Sequence, residues 1–171
     1  MDINNIEIMS PAGSFDSLMA ALQGGAGSVY FGAGNLNMRA NSSNNFSIED
    51  IQEIVRLCNE RGVKSYLTVN TVMYDDEIQQ LESILSAAKA AGVTAIIASD
   101  MAVIDMARQM DIEVHISTQL NVSNFQAVKY YSRFADVIVL ARELSLDKVK
   151  AICDRIKEEK ICGPKGELFR I

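Results

Sequence analysis

The sequence predicts an α/β protein, a (β/α) barrel of the TIM type that is incomplete, with about six βα units of the usual eight. Two observations lead to this fold class. The hydrophobic pattern of the 171 residues alternates repeatedly between short strand-like runs and helical spacing. Each predicted strand is also followed by polar residues. Strands that alternate with single helices pair in parallel through right-handed crossovers.

The predicted strands are short and mostly apolar, and a residue suited to an N-cap precedes each following helix. The strands comprise residues 6–9, 28–32, 64–69, 95–98, 113–117 and 136–140. The helix-start residues are Ser14, Ser47, Asp75 or Asp76, Asp100, Ser123 and Ser145. In the last helix, the apolar spacing predicts an inward face that comprises Leu146, Val149, Ile152, Cys153 and Ile156.

Two architectures fit this alternation: an open, doubly wound sheet and a closed barrel. A doubly wound sheet binds its ligand at one switch point, often through a GxGxxG turn. Neither the turn at 11–14 (Pro-Ala-Gly-Ser) nor the one at 32–34 (Gly-Ala-Gly) has that pattern. The barrel is favoured because polar residues end every strand, and a barrel places its chemistry at that face.

Six units do not close an eight-stranded barrel. Residues 1–157 are therefore interpreted as the N-terminal part of a barrel, and residues 158–171 as a charged linker with the start of a seventh strand. We expect a fragment whose first and last strands are open edges. Such edges pair with other chains, so self-association is expected.

Composition limits the function classes. The formal net charge is −6 and the isoelectric point about 4.8, so nucleic-acid binding by this segment is disfavoured unless a local basic patch overrides the overall charge. Cys58, Cys153 and Cys162 lack CxxC spacing, which favours reduced thiols over a metal or redox site. Without a targeting segment or a membrane span, a cytoplasmic protein is expected.

The candidate site lies at the carboxyl ends of the strands. Its members are Ser14, Arg39, Asn70, Asp100, His115, Ser117, Gln119, Asn121, Arg142 and Glu143. Ser14 is better explained as a helix cap, and Asp100 suits a cap or a site residue equally. The catalytic candidates are Asn70, His115, Arg142 and Glu143. The residues expected to bind substrate are Arg39, Asp100, Ser117, Gln119 and Asn121.

His115, the only histidine, lies inside a strand. Alternation places His115, Ser117 and Gln119 on one face, which points into the barrel if the aliphatic residues pack under the helices. There His115 could act as a general acid or base. Alternatively, it is an interior histidine whose hydrogen bonds are satisfied by a neighbouring strand. A triad of Ser117, His115 and Asp100 is a weak signal, because no nucleophile-elbow turn carries the serine.

The pair Arg142-Glu143 follows an apolar strand. A guanidinium there suits a bidentate grip on a carboxylate or phosphate. Neighbouring residues on an extended strand point to opposite faces, so only one of them enters the barrel mouth unless the strand has already turned. The alternative is a rim ion pair without a role.

Several short motifs occur in an order that identifies a family. They are Ser-Pro-Ala-Gly-Ser-Phe (10–15), Gly-Gly-Ala-Gly-Ser-Val-Tyr-Phe-Gly (24–32), Arg-Ala (39–40), Asn44 with Phe46-Ser47, Arg-Gly-Val-Lys (61–64), Thr-Val-Asn-Thr (68–71), Ser-Thr-Gln-Leu-Asn (117–121) and Leu-Ala-Arg-Glu-Leu-Ser (140–145). Together they closely resemble the N-terminal part of peptidase family U32, the collagenase-like proteases.

This resemblance implies two alternative enzymatic functions. Family members are described as peptidases, or hydroxylate pyrimidines in transfer or ribosomal RNA, with prephenate implicated in some. The expected substrate is therefore RNA or a peptide, with a prephenate-like acid held by Arg142 or Arg39. RNA hydroxylation is favoured; a true endopeptidase and a non-catalytic barrel subunit of a hetero-complex are the alternatives. Some members carry a four-iron–four-sulfur cluster on a later segment, so a cluster is expected only in a longer protein, and this fragment alone is expected to be inactive.

Overall fold

The computed structural model describes residues 6–38 and 45–171. Within these ranges, six strands alternate with six α-helices. The elements are β1 (Met9–Ala12), α1 (Phe15–Gln23), β2 (Ser28–Gly32), α2 (Asp50–Asn59), β3 (Lys64–Val69), α3 (Ile78–Ala91), β4 (Ala95–Ala98), α4 (Met101–Gln109), β5 (Glu113–Ile116), α5 (Phe125–Tyr131), β6 (Val137–Ile138) and α6 (Leu146–Glu158). Short 3₁₀ turns at Asp75–Glu77 and Thr118–Leu120 lie in the loops after β3 and β5.

All six strands are parallel and lie in one sheet in sequence order, β1-β2-β3-β4-β5-β6. A doubly wound sheet reverses its strand order at a switch point, whereas a barrel adds each strand beside the previous one. The predicted α/β class and the barrel-type order are therefore confirmed.

The sheet separates two environments. Its outer face packs under the helices and forms the main core, with Phe31, Leu67 and Ile96 aligned across three neighbouring strands. Its inner face carries Tyr66, Ala95 and Ile97 with polar residues beside them. On β5, Val114 and Ile116 point outward, so the face that holds His115 points into the barrel, as the alternation predicts.

The first strand lies three residues later than predicted. Residues 6–9 were expected, but β1 spans Met9–Ala12, and both Ile6 and Ile8 are exposed. Ser14 and Ser17 form a capping box that begins α1 at Phe15. The helix starts only there, and the residues before it continue the strand as far as Ala12. Pro11 is tolerated because β1 is an edge strand. The outer edge of β1 has no partner among the described residues, and self-association through it remains a prediction.

The sixth strand and the last helix also differ from expectation. Strand β6 is only Val137–Ile138 instead of 136–140, because the chain bends and the Ala141 N–H donates to the Val122 carbonyl, 2.9 Å away. In α6, Ile152 and Ile156 are buried as predicted, but Leu146 is 86% exposed, so its inward placement was wrong. Leu146 begins the helix, before the turns that pack on the sheet.

Residues 158–171 return to the sheet beside β6. Arg170 forms a parallel bridge with Val137; its N–H donates to the Asp136 carbonyl (3.2 Å), and its carbonyl accepts from the Ile138 N–H (3.0 Å). Phe169 is buried in the main core. These contacts join the tail to the barrel sheet, while the proposed division of the chain at residue 157 remains a prediction. Among the described residues, no helix is both long and apolar enough to cross a membrane.

Candidate functional site

A cleft of about 280 Å³ lies at the carboxyl ends of β3, β4 and β5. It collects three of the predicted site residues, Asn70, Asp100 and Gln119, which follow those three strands in order. The remaining lining residues are Met38, Thr71, Val72, Ser99 and Leu120. We call this set the strand-end cleft.

Asn70 fixes one wall of the strand-end cleft. Its side-chain oxygen Oδ1 accepts a hydrogen bond from the Met38 N–H, 3.3 Å away, which ties the end of β3 to the loop after β2. Below it, the Thr68 hydroxyl donates to the Phe31 carbonyl (3.0 Å) and joins the same two strands. Asn70 lines the cleft, and no hydrogen bond from its amide nitrogen occurs among the described residues.

Asp100 has a structural task at the opposite wall. One carboxylate oxygen accepts from the Ala102 N–H (2.8 Å) and caps α4, and the other accepts from the Met73 N–H (3.1 Å). Both oxygens are therefore used by backbone donors, and the carboxylate joins the loop after β3 to the start of α4. The geometry shows that Asp100 caps α4, and a substrate-binding role for it stays a prediction.

The end of β5 presents exposed amides above a buried hydroxyl. Ser117 is buried, and its Oγ accepts from the Gln119 N–H at 3.4 Å, which caps the 3₁₀ turn. Gln119 is exposed and lines the cleft, whereas Asn121 ends the turn in the left-handed region (φ 50°) and lies outside the cleft lining. Asparagine is one of the few residues that adopts this conformation readily.

His115 lies inside the barrel, and its side chain contacts the first residue of its own strand. Its Nε2 is 2.9 Å from Oε1 of Glu113, only 7% of the residue is exposed, and its ring centroid is 4.8 Å from that of Tyr66. No hydrogen bond joins it to Ser117 or Asp100 among the described residues. The arrangement matches an interior histidine satisfied by a neighbour, and that neighbour is on its own strand.

Glu113 is the centre of an ion network that sequence reasoning missed. Besides His115, it accepts from Lys165 and from Arg170, whose Nη2 is 2.6 Å away. The hydrogen bond from His115, followed by that from Lys165, holds the pKa of Glu113 well below its usual range. The available signal was an acidic residue two positions before His115, on the same face of the strand.

A second polar cluster lies on the inner face near the start of the strands. The Tyr66 hydroxyl donates to Oε1 of Glu7 (2.7 Å), and Lys64 forms an ion pair with the same carboxylate. Burial, and then the hydrogen bond to Glu7, raise the pKa of Tyr66. With the Glu113 network, this cluster makes the inner face polar at the amino-terminal end of the barrel.

Arg142 and Glu143 lie in the loop after β6, at the same end as the strand-end cleft. Both side chains are exposed and neither lines the cleft. Among the described residues neither side chain takes part in an ion pair or hydrogen bond, so the rim ion pair considered from the sequence is not formed. Arg39 lies outside the described residues.

The three cysteines lie on different parts of the fold. Cys58 is buried on α2, and burial raises its pKa to about 11. Cys153 is half-buried on α6 and Cys162 is exposed beyond it. Within residues 6–38 and 45–171, no three His, Cys, Asp or Glu side chains are grouped closely enough to hold a metal ion. A cluster in a longer protein remains an expectation.

The sequential parallel strands and the polar residues at their carboxyl ends place the chain among the TIM-barrel-type folds. Solved structures agree: a U32 peptidase superposes with a TM-score of 0.71 (18% identity, 87% of this chain and 64% of that chain). The tryptophan synthase α subunit of Legionella pneumophila superposes with a TM-score of 0.54 (19% identity, 91% and 70%). At these identities the likeness shows the fold alone.

The chain belongs to peptidase family U32, whose family model matches residues 13–163. It is 56% identical to a collagenase of Porphyromonas gingivalis over its whole length, which is 41% of that relative. It is 34% identical to tRNA hydroxylation protein P1 of Bacillus subtilis (90% of this chain, 37% of the relative). It is 35% identical to 23S rRNA 5-hydroxycytidine C2501 synthase of Escherichia coli (87% and 22%). The chain thus spans less than half the length of each of these relatives.

Proposed function

We propose that this chain is the N-terminal barrel part of an enzyme that hydroxylates a pyrimidine in transfer or ribosomal RNA, and that the strand-end cleft receives the target base. The proposal draws on two relatives named for RNA hydroxylation and on the chemistry of the cleft. The single observation that carries it is a combination of side-chain amides and apolar walls at the carboxyl ends of β3 to β5. Among the described residues, neither the Asn70 side-chain nitrogen nor the Gln119 side chain forms a hydrogen bond.

The cleft has the size and lining that a nucleobase needs. Its volume of about 280 Å³ is close to the lower limit of small-molecule sites, roughly 300 Å³. Met38, Val72 and Leu120 offer apolar surface for the faces of a base, and Asn70 and Gln119 offer donors and acceptors for its edge. Enzymes that act on a base take it out of its stack and read that edge in a pocket.

Arg142 would supply charge at the rim. Its guanidinium is exposed and has no ion-pair partner among the described residues, so it is available for a phosphate or for the carboxylate of a small organic acid. A bidentate guanidinium grip is the usual way of orienting such a group.

An endopeptidase is the second candidate, because the relative with 56% identity is named a collagenase. Nucleophilic hydrolysis needs a hydroxyl or thiol within hydrogen-bond reach of a base. The histidine is instead paired with Glu113 inside the barrel, and both oxygens of Asp100 accept backbone hydrogen bonds. Among the described residues, these contacts leave no base next to a nucleophile, which counts against a peptidase.

Nucleoside profiling separates the two candidates. The gene is deleted, complemented with variants of the full-length protein, and the nucleosides of tRNA and rRNA are analysed by mass spectrometry. We expect deletion to remove a hydroxylated pyrimidine, which the wild type and Gln79→Ala restore but Gln119→Ala and Arg142→Ala do not. Gln79 is a matched control because it is exposed on α3 and does not line the cleft.

The opposite result is equally clear. Unchanged nucleosides after deletion would overturn the proposed function. If the purified full-length protein then cleaved gelatin or casein, and Glu143→Gln abolished that cleavage, the endopeptidase would be supported instead.

A further inference from the structure

A second and larger concavity lies between the end of α5 and the segment that follows α6. Its volume is about 500 Å³, and its lining includes Lys129, Tyr130, Arg133 and Lys160. We call these four residues the basic groove. Helices of βα units run antiparallel to the strands, so the ends of α5 and α6 lie at the amino-terminal end of the barrel. The basic groove is therefore on the face opposite the strand-end cleft.

The charge of the basic groove is opposite to that of the whole chain. Three of its lining residues are cations and none is a carboxylate, although the chain has a formal net charge of −6. Lys129 is partly neutralised by Glu159, 2.9 Å away. Arg133 and Lys160 form no ion pair among the described residues. At least two cations therefore remain available for an anionic partner.

An aromatic ring lies among these cations. Tyr130 is 48% exposed, and the Arg133 guanidinium lies over its ring at 4.4 Å from the centroid. Phe134 supports the same guanidinium at 5.4 Å. These two rings hold the flat Arg133 guanidinium in one position, so less side-chain entropy is lost when it binds a ligand. Basic residues interleaved with aromatic rings are the arrangement that tracks a nucleic-acid backbone while a base stacks on a ring.

We propose that the basic groove binds the phosphate backbone and one base of the RNA whose target nucleotide enters the strand-end cleft. This inference rests on the proposed function. Helix α6 alone, with 13 residues, is about 20 Å long. A ligand that contacts both faces must therefore be longer than a nucleotide, which assigns the substrate class to an RNA chain and not to a free nucleoside or base.

Direct binding measurements test the groove independently of catalysis. The full-length protein is titrated with fluorescently labelled unfractionated tRNA and, separately, with an rRNA fragment, over a range of salt concentrations. We expect Lys160→Glu to weaken binding and to reduce the slope of log affinity against log salt by about 0.7 to 0.9, the loss of one phosphate contact. Tyr130→Leu, which keeps apolar bulk but removes the stacking ring, should weaken binding about tenfold.

Arg61→Glu is the matched control for charge. Arg61 is exposed just after α2, at the same end of the barrel as the basic groove. Its replacement by Glu changes the net charge by the same amount as Lys160→Glu. The Arg61→Glu variant should bind RNA like the wild type. Thermal unfolding shows whether each variant is folded, and Lys160→Gln provides a second variant if Lys160→Glu is not.

Two results would overturn the inference: folded Lys160 and Tyr130 variants that keep the wild-type affinity and salt slope, or an Arg61→Glu variant that loses as much as they do. Failure of the proposed function looks different. In that case nucleosides are unchanged by gene deletion, whatever the binding data. Preference for the tRNA or the rRNA probe identifies which RNA the groove takes.

Discussion

Nε2 of His115 lies 2.9 Å from Oε1 of Glu113, and both residues project into the barrel from the same strand. Glu113 also accepts from Lys165 and Arg170, which follow it by more than fifty residues. The carboxylate therefore does two things. It forms a hydrogen bond with the only histidine, and its ion pairs with Lys165 and Arg170 hold residues 158–171 against the amino-terminal end of the sheet.

Replacing this carboxylate should destabilise the fold. Glu113→Gln keeps the shape but removes the charge that Lys165 and Arg170 share, and we expect the free energy of unfolding to fall by about 1–3 kcal/mol. Urea unfolding followed by circular dichroism measures the change. Glu158→Gln is the control, because Glu158 is exposed and has no ion pair among the described residues. Equal midpoints for the two variants would contradict the anchoring role.

The same residue predicts how stability depends on pH. The pKa of Glu113 is lowered from an ordinary value of 4.5 in the folded state, so its contribution is complete above about pH 5. Below that pH, Glu113 is protonated in the unfolded chain while it is still ionised in the folded chain. The free energy of unfolding therefore falls by at most about 1.4 kcal/mol per pH unit for this group. Urea midpoints between pH 3 and 7 should fall less steeply for Glu113→Gln than for Glu158→Gln. Parallel curves would refute the assignment.

Much of the fold was predictable because its strands carry strong local signals. Residues 28–32, 64–69 and 95–98 are strands with the predicted bounds, since β-branched or apolar runs there end at glycines or polar residues. Strand β1 was placed three residues too early because Ser-Pro-Ala at 10–12 has the composition of a turn. Pairing with β2 outweighs that local preference, and a proline, which has no backbone N–H to donate, is tolerated on an edge strand.

The candidate site was predictable only in outline. Topology brings the ends of β3, β4 and β5 together, so Asn70, Asp100 and Gln119 share one cleft as their positions suggested. The role of each side chain depends on contacts that no spacing reveals. The partner of Asp100 in the loop after β3 is 27 residues away, and the partners of Glu113 are farther still.

The thiols should differ sharply in reactivity. Burial raises the pKa of Cys58 to about 11, so at pH 8 almost none of it is thiolate, and the reactive form is also inaccessible. Cys162 is exposed. With a thiol-reactive chromophore we expect Cys162 to react rapidly in the native protein and Cys58 only after denaturation. The variant Cys162→Ser assigns the fast phase, and a fast phase that survives in it would contradict this order.

The exposure of Leu146 separates two otherwise similar residues of α6. Leu146→Gln should change the free energy of unfolding by less than about 0.5 kcal/mol, because it removes no buried contact. Ile152→Ala removes a side chain from the core and should cost about 2–5 kcal/mol. Denaturant unfolding of both variants compares them directly. A large loss for Leu146→Gln would mean that another part of the full-length protein covers the start of α6.

Asp100 provides the test that separates structure from chemistry in the strand-end cleft. Asp100→Ala leaves the N–H groups of Ala102 and Met73 without their acceptors, and we expect it to lower the free energy of unfolding by about 1–3 kcal/mol. Asp100→Asn keeps one acceptor oxygen, which can still cap α4, so it should recover part of that stability. If Asp100 only holds the walls of the cleft in place, Asp100→Asn should restore the proposed RNA hydroxylation in complemented cells to the same extent as it restores the free energy of unfolding. An Asn variant as stable as the wild type but inactive would show instead that the carboxylate itself contacts the substrate.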